Sequence, residues 1–200
     1  MHRLASLAFL LLAAGMALGA VWPSRAAAAG PWKAQVVDAE TGTSLEGVVV
    51  LFYWIKDTAS WGGWAGGEFY HAEEVVTSPD GRFVMPARST WTLLPWKRIS
   101  REIVIFKPGY GQWRFHGYDE WRKLSLEEQE ARLQAAWKQF EGDGVVIALP
   151  PLKTHEERRS FLHRAGPSAL VPRELTKRLE GAIDQERIYL GLPPMYRGKP

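Results

Sequence analysis

The sequence predicts a mainly β protein, an antiparallel β-sandwich of about seven strands, with one helix inserted ahead of the last strand and a helical extension after it. Three observations carry that prediction. From Trp32 to about Lys153 apolar residues recur mostly at a period of two, the spacing of a strand with one buried face. Turn signals rich in glycine, proline and aspartate separate these runs at short, roughly regular intervals. The period then changes to that of a helix in two places, each opened by a capping box.

Residues 1–29 stand apart from the fold. Met1-His2-Arg3 is a short basic start, residues 4–21 are apolar and uncharged, and Pro23-Ser24-Arg25 leads into the run Ala26-Ala27-Ala28-Ala29. Basic, apolar and small segments in that order form a secretory signal peptide, and the A-x-A pattern in the alanine run favours cleavage over a retained anchor. A periplasmic or secreted protein with no stable membrane span after cleavage is the expectation. The chain has no cysteine, so neither a disulfide nor a lipoprotein anchor is available. It also lacks asparagine, and with it any N-glycosylation acceptor. The formal charge of +3 falls to about +1 without Arg3 and Arg25, which argues against nucleic acid as the partner. From Pro151 onward ten Lys/Arg face six Asp/Glu, the mild bias of a solvated helical surface.

The elements follow in order across residues 30–153. Residues 32–38 (WKAQVVD) alternate as a first strand, and a turn-rich stretch follows to Gly47. Residues 48–56 (VVVLFYWIK) are continuously apolar, β-branched and aromatic, as in a central strand buried on both faces. Residues 69–77 (FYHAEEVVT) form the next strand, and Pro79-Asp80-Gly81 turns it back into residues 82–85. Residues 86–96, with prolines at 86 and 95, read as an irregular crossover that contains Trp91 and Trp96. Residues 101–106 make another strand, and Lys107-Pro108-Gly109-Tyr110-Gly111 turns it into residues 112–115. An inserted helix is expected near 119–141, opened by the Ser125/Glu128 capping box, with Leu126, Leu133, Trp137 and Phe140 on one stripe. Gly142-Asp143-Gly144 stops it ahead of a last strand at 145–149.

Residues 154–200 form the helical extension. Thr154 and Glu157 make the second capping box, and that helix runs to about Gly166-Pro167. Pro172 suits the first turn of a further helix whose apolar side holds Leu175, Leu179, Ile183 and Leu190. Helices this short are marginal alone, so they are expected to pack on the sandwich.

Chemistry is sparser than architecture. The segment "SWGGWAGGEFYH" (residues 60–71) reads as a glycine-hinged connection between the second and third strands. Its rings, Trp61, Trp64, Phe69 and Tyr70, are the candidate ligand-binding residues, because flat exposed rings stack on sugars or anchor protein interfaces. The competing reading folds Trp61 and Trp64 over a sheet edge, with the glycines allowing close approach. His71 and Glu73 face the same side of a strand and are weak metal candidates, but a site needs three or four donors and no third is identifiable. His155 and His163 lie about 12 Å apart along a helix, too far to chelate one ion. No nucleophile elbow or phosphate loop is present, and no cofactor is implied.

The stretches "KAQVVDAETGTSLEGVVVLFYW", "VVTSPDGRFVMP" and "IVIFKPGYGQWRF" resemble carboxypeptidase regulatory-like domains, which have a transthyretin-like (prealbumin-like) sandwich. The resemblance rests on Asp38, Thr41-Gly42, residues 45–48, Thr77, residues 80–83 and residues 107–110, and covers residues 33 to about 115 plus 145–149. It implies a non-catalytic module of exported proteins that contacts another envelope protein or a glycan, or serves as scaffolding. The alternative is a transthyretin-like hydrolase or metal-dependent enzyme. The hydroxyisourate hydrolases of that form carry H-V-L-D in the first strand and end in Y-R-G-S. This chain has Gln35-Val36-Val37-Asp38, whose glutamine cannot act as a base, and Tyr196-Arg197-Gly198-Lys199, which lacks the serine.

Overall fold

The computed structural model describes residues 30–61, 63–90, 92, 94, 96–113, 124–162, 166 and 168–196. The expected leader, residues 1–29, lies outside them, as do Trp91, His163 and the tail residues 197–199. In chain order the elements are β1 (Trp32–Asp38), β2 (Val49–Ser60), β3 (Gly63–Val76), β4 (Arg82–Met85), β5 (Lys97–Lys107) and β6 (Gly111–Trp113). There follow α1 (Leu126–Gln139), β7 (Val145–Leu149), α2 (His155–Leu162), a 3-10 turn (Arg173–Leu175) and α3 (Lys177–Tyr189). The protein is mainly β with added helices, as its periodicity predicts.

Among the described residues the strands form a three-stranded sheet, β4-β1-β7, and a four-stranded sheet, β3-β2-β5-β6. One pairing departs from the antiparallel expectation. β7 runs parallel to β1, from Ala34 opposite Val145 to Asp38 opposite Leu149. Parallel neighbours cannot be joined by a tight turn, and here the whole chain from β2 to α1 lies between them. The end of α1 is tied to β1: the Lys33 amide donates to the Phe140 carbonyl at 2.8 Å. Gly144, at φ +93, has no room for a side chain, since a Cβ there would lie 2.8 Å from the Lys33 carbonyl oxygen.

β2 is the central strand the sequence predicts, and its two faces bury two cores. Val48, Val50, Phe52 and Trp54 pack with Trp32, Val36, Phe83, Met85, Ile103, Ile105, Ile147 and Leu149, drawn from both sheets, and with Trp137 and Phe140 at the end of α1. Val49, Leu51, Tyr53 and Ile55 pack instead with Val104, Phe106, Leu162, Leu179 and Ile183. The helical extension therefore covers the face of β2 and β5 that the other sheet leaves open. No helix among the described residues is long and apolar enough to cross a membrane.

Both predicted capping boxes form. Glu128 N donates to Ser125 Oγ at 3.2 Å while Ser125 N donates to Glu128 Oε2 at 2.8 Å. Glu157 N and Thr154 Oγ1 meet at 3.1 Å, with Thr154 N donating to Glu157 Oε2 at 3.0 Å. The third helix departs from expectation. Pro172 opens only the 3-10 turn, Leu175 is exposed, and α3 starts at Lys177 with no side-chain cap of its own. Its cap comes from β3: the Glu74 carboxylate accepts from Arg178 N at 2.9 Å and Leu179 N at 2.8 Å. An anion there satisfies two orphan donors and lies at the positive end of the helix dipole.

The residues that carry the family resemblance are fasteners. Thr77, buried, donates to the Leu45 carbonyl at 2.6 Å and accepts from Val48 N at 2.9 Å. Gly81, at φ +74, sits against the Val36 carbonyl where a Cβ would collide. Asp38 Oδ1 accepts from Glu40 N at 2.8 Å and Thr41 N at 2.9 Å, and its Oδ2 accepts from the Tyr110 hydroxyl at 2.9 Å. The Thr41 amide and then the Tyr110 hydroxyl hold the Asp38 carboxyl below its usual range. A depressed folded-state pKa means that the unfolded chain binds the proton more readily. The stability this supplies is therefore present above the ordinary aspartate value of about 3.9 and is lost as pH falls through the folded value. Asp38→Asn is expected to destabilise the protein at neutral pH and to flatten the acid limb of a Tm-against-pH curve. A variant with an unchanged acid limb would show that this carboxylate takes no part in acid unfolding.

Candidate functional site

The stretch 60–71 is strand where a long connection is expected. β2 runs on to Ser60, β3 begins at Gly63, and Ser60 pairs with Gly63, so only residues 61 and 62 connect them. The extra glycines serve β3 itself, which carries two register shifts against β2. One falls between Lys56 and Thr58, beside Gly66 at φ +69, the left-handed conformation that suits a bulged glycine. Gly67 is held small by its neighbours: a Cβ there would lie 2.7 Å from Leu170 Cδ1 and 2.9 Å from Ile55 Cγ2. The other shift leaves Tyr70 as the surplus residue between the pairs Trp54–His71 and Ile55–Phe69. Bulges along a sheet edge also discourage pairing with a foreign strand.

The outer end of this hairpin extends past the cores. β2 changes from buried to exposed after Asp57, and the opposed residues 64–68 of β3 are exposed. The four candidate rings separate here. Trp61 is fully exposed at the turn, Trp64 and Tyr70 are each 41% exposed, and Phe69 leans inward against the core beneath the helical extension. Trp61 thus packs on no sheet edge, whereas Trp64 is more than half covered.

Trp64 is also held in place. The Arg98 guanidinium lies over its ring at 4.6 Å, and Arg98 pairs with Asp57 at 3.5 Å. Trp64 stands opposite Ala59, whose amide donates to the Trp96 carbonyl at 2.8 Å on the other side. Trp64, Ala59 and Trp96 therefore form one row across three chain segments, and Trp96 is 51% exposed. Two strand spacings set the indole-bearing backbones about 10 Å apart over a floor no larger than alanine. The row was only half legible in sequence. Trp96 is one of two tryptophans in what reads as an irregular crossover, and nothing local places it beside Ala59.

His71 and Glu73 do share a face, with His71 Nε2 and Glu73 Oε2 3.9 Å apart. Their third neighbour is a cation: Arg88 Nη2 stands 3.7 Å from Glu73 Oε2 and its guanidinium lies 5.5 Å from the centroid of Trp54. Burial, followed by the charge of Arg88, lowers the His71 pKa, so this imidazole is neutral at neutral pH. Among the described residues no group of three or more histidine, cysteine, aspartate or glutamate side chains could hold a metal ion. Gln35 uses its amide to reach Ser44 Oγ at 3.1 Å and the Asp80 carbonyl at 2.9 Å.

Comparison of the chain with protein-family models, with curated proteins and with solved structures returned no match.

Proposed function

We propose that this chain is an exported, non-catalytic β-sandwich module of transthyretin-like arrangement that binds another envelope protein or an envelope glycan through the tip of its β2–β3 hairpin. The observation that carries the reading is the full exposure of Trp61 beside a clamped, half-exposed Trp64. An exposed indole that contributes nothing to a core is a solubility liability, and it is explained when a partner covers it. Holding Trp64 between Arg98 and the strand lowers the ordering cost of binding. The Trp64–Ala59–Trp96 row offers ring faces with Arg98 and Asp57 beside them, a combination suited to the C–H face and hydroxyls of a sugar and equally to a protein anchor. The transthyretin-like reading is supported by Asp38, Thr77, Gly81 and Tyr110, the residues of the resemblance, which fasten neighbouring turns together.

The test is binding of the purified protein to a glycan array and to an envelope extract, beside the variant Trp61→Ala/Trp64→Ala. Loss of two anchoring indoles is expected to weaken the interaction roughly 30-fold or more. Tm should stay nearly unchanged, because neither ring belongs to a core. Equal binding by the wild type and a folded double variant would exclude the hairpin tip as the binding site.

A further inference from the structure

A cavity of about 360 Å³ lies between α2, α3 and the segment after α3. Leu162, Ile183 and Leu192 form its apolar floor, and Arg159, Arg187 and Tyr196 line its polar side. The size falls within the range of small-ligand sites.

What distinguishes the cavity is its charge. The carboxylates of α3 are engaged elsewhere: Glu180 holds Arg173, and Glu186 holds Arg158. Asp184, fully buried, accepts from Met195 N at 2.6 Å and from Tyr196 N at 3.0 Å. That last pair of bonds fastens the tail against α3 and so builds the cavity wall. Arg187, which lines the cavity, donates its Nε to the Pro193 carbonyl at 2.7 Å. Among the described residues no carboxylate lies within ion-pair distance of Arg159 or Arg187. Arg159, exposed at the rim, and half-buried Arg187 thus line a cavity with an aliphatic floor, and guanidinium binds carboxylate in a two-pronged fashion.

We infer that this cavity binds an acyl carboxylate, with the headgroup between Arg159 and Arg187 and the hydrocarbon on Leu162, Ile183 and Leu192. Tyr196 also lines the cavity and carries a hydroxyl. Burial and then the nearby Glu180 charge raise its pKa, so it keeps its proton across the neutral range. The site is separate from the hairpin tip and does not depend on what the tip binds.

Titration calorimetry with decanoate below its micellar concentration tests the inference, with decanol and decyltrimethylammonium as uncharged and cationic probes of the same chain length. Decanoate is expected to bind, and the other two to bind at least tenfold more weakly. The folded variant Arg159→Gln/Arg187→Gln should lose roughly 100-fold in decanoate affinity. Trp61→Ala/Trp64→Ala should keep wild-type decanoate affinity. Equal binding of decanol and decanoate would overturn the inference. So would full affinity in the folded double-arginine variant, loss of affinity in the tryptophan variant, or no binding of decanoate by the wild type.

Discussion

Glu186→Ala is expected to lower the unfolding free energy by about 3–5 kcal/mol, the usual result of stripping one partner from a buried ion pair. Glu186 is 2% exposed. It accepts from Arg158 Nε at 2.6 Å, from the second arm of the same guanidinium, and from Gly109 N at 3.0 Å. Arg158 is pressed against the Tyr189 ring at 3.5 Å, so it has little freedom to turn toward water once its counter-charge is gone. The truncation thus leaves a partly buried cation and an amide in the turn after β5 without their acceptor. Three elements meet at this one carboxylate: α2 through Arg158, α3 through Glu186 itself, and the β5–β6 turn through Gly109. Urea denaturation measures the loss. Limited proteolysis should show residues 154–196 cut first, because the second core depends on their docking. Glu186→Gln keeps the shape and an acceptor for Gly109, so it should fall between wild type and alanine. A loss below about 1 kcal/mol in the alanine variant would mean that the pair is effectively solvated.

That carboxylate also marks where the sequence stops being readable. Local signals predicted well: both capping boxes, the alternation of β1, the doubly buried β2 and the Trp137–Phe140 stripe rest on spacings within one element. Readings that depended on a distant partner did not. Glu74 looks like half of a polar strand face, yet it caps a helix a hundred residues later. Glu180, Asp184 and Glu186 look like the solvated side of α3, yet each is buried on a partner outside the helix. Likewise the glycines of residues 60–71 suggested a loop, because glycine weakens a strand on average. Here one glycine serves a bulge and Gly67 makes room for Leu170, and neither requirement is visible within a window of twelve residues. At the candidate site the ring types were legible. Their division into exposed Trp61, clamped Trp64 and inward Phe69 was not, since Arg98 and the helical extension decide it.

Phe52→Ala is expected to be at least as damaging, at about 3–5 kcal/mol, because Phe52 is where the two sheets and the inserted helix meet. Its ring lies 5.4 Å from Trp32 of β1, 6.1 Å from Trp54 of β2, 6.3 Å from Phe83 of β4 and 5.5 Å from Trp137 of α1. All five are buried. A domain of this kind has a total stability of roughly 5–15 kcal/mol, so the truncated protein would retain only part of its margin. The cavity left behind cannot close easily, because β2 is fixed by ladders to β3 and β5 on both sides. Phe52→Leu refills most of the space and should cost under about 1.5 kcal/mol. The three neighbouring indoles make intrinsic fluorescence a direct reporter, and the urea midpoint should drop in the order wild type, leucine, alanine. The size of the alanine effect also tests the architecture. If β4-β1-β7 and β3-β2-β5-β6 bury one common core, removing its central ring must weaken both sheets in a single transition. Two separate transitions, with only one moved by Phe52→Ala, would show that the sheets hold together independently and would overturn the sandwich reading of the proposed module.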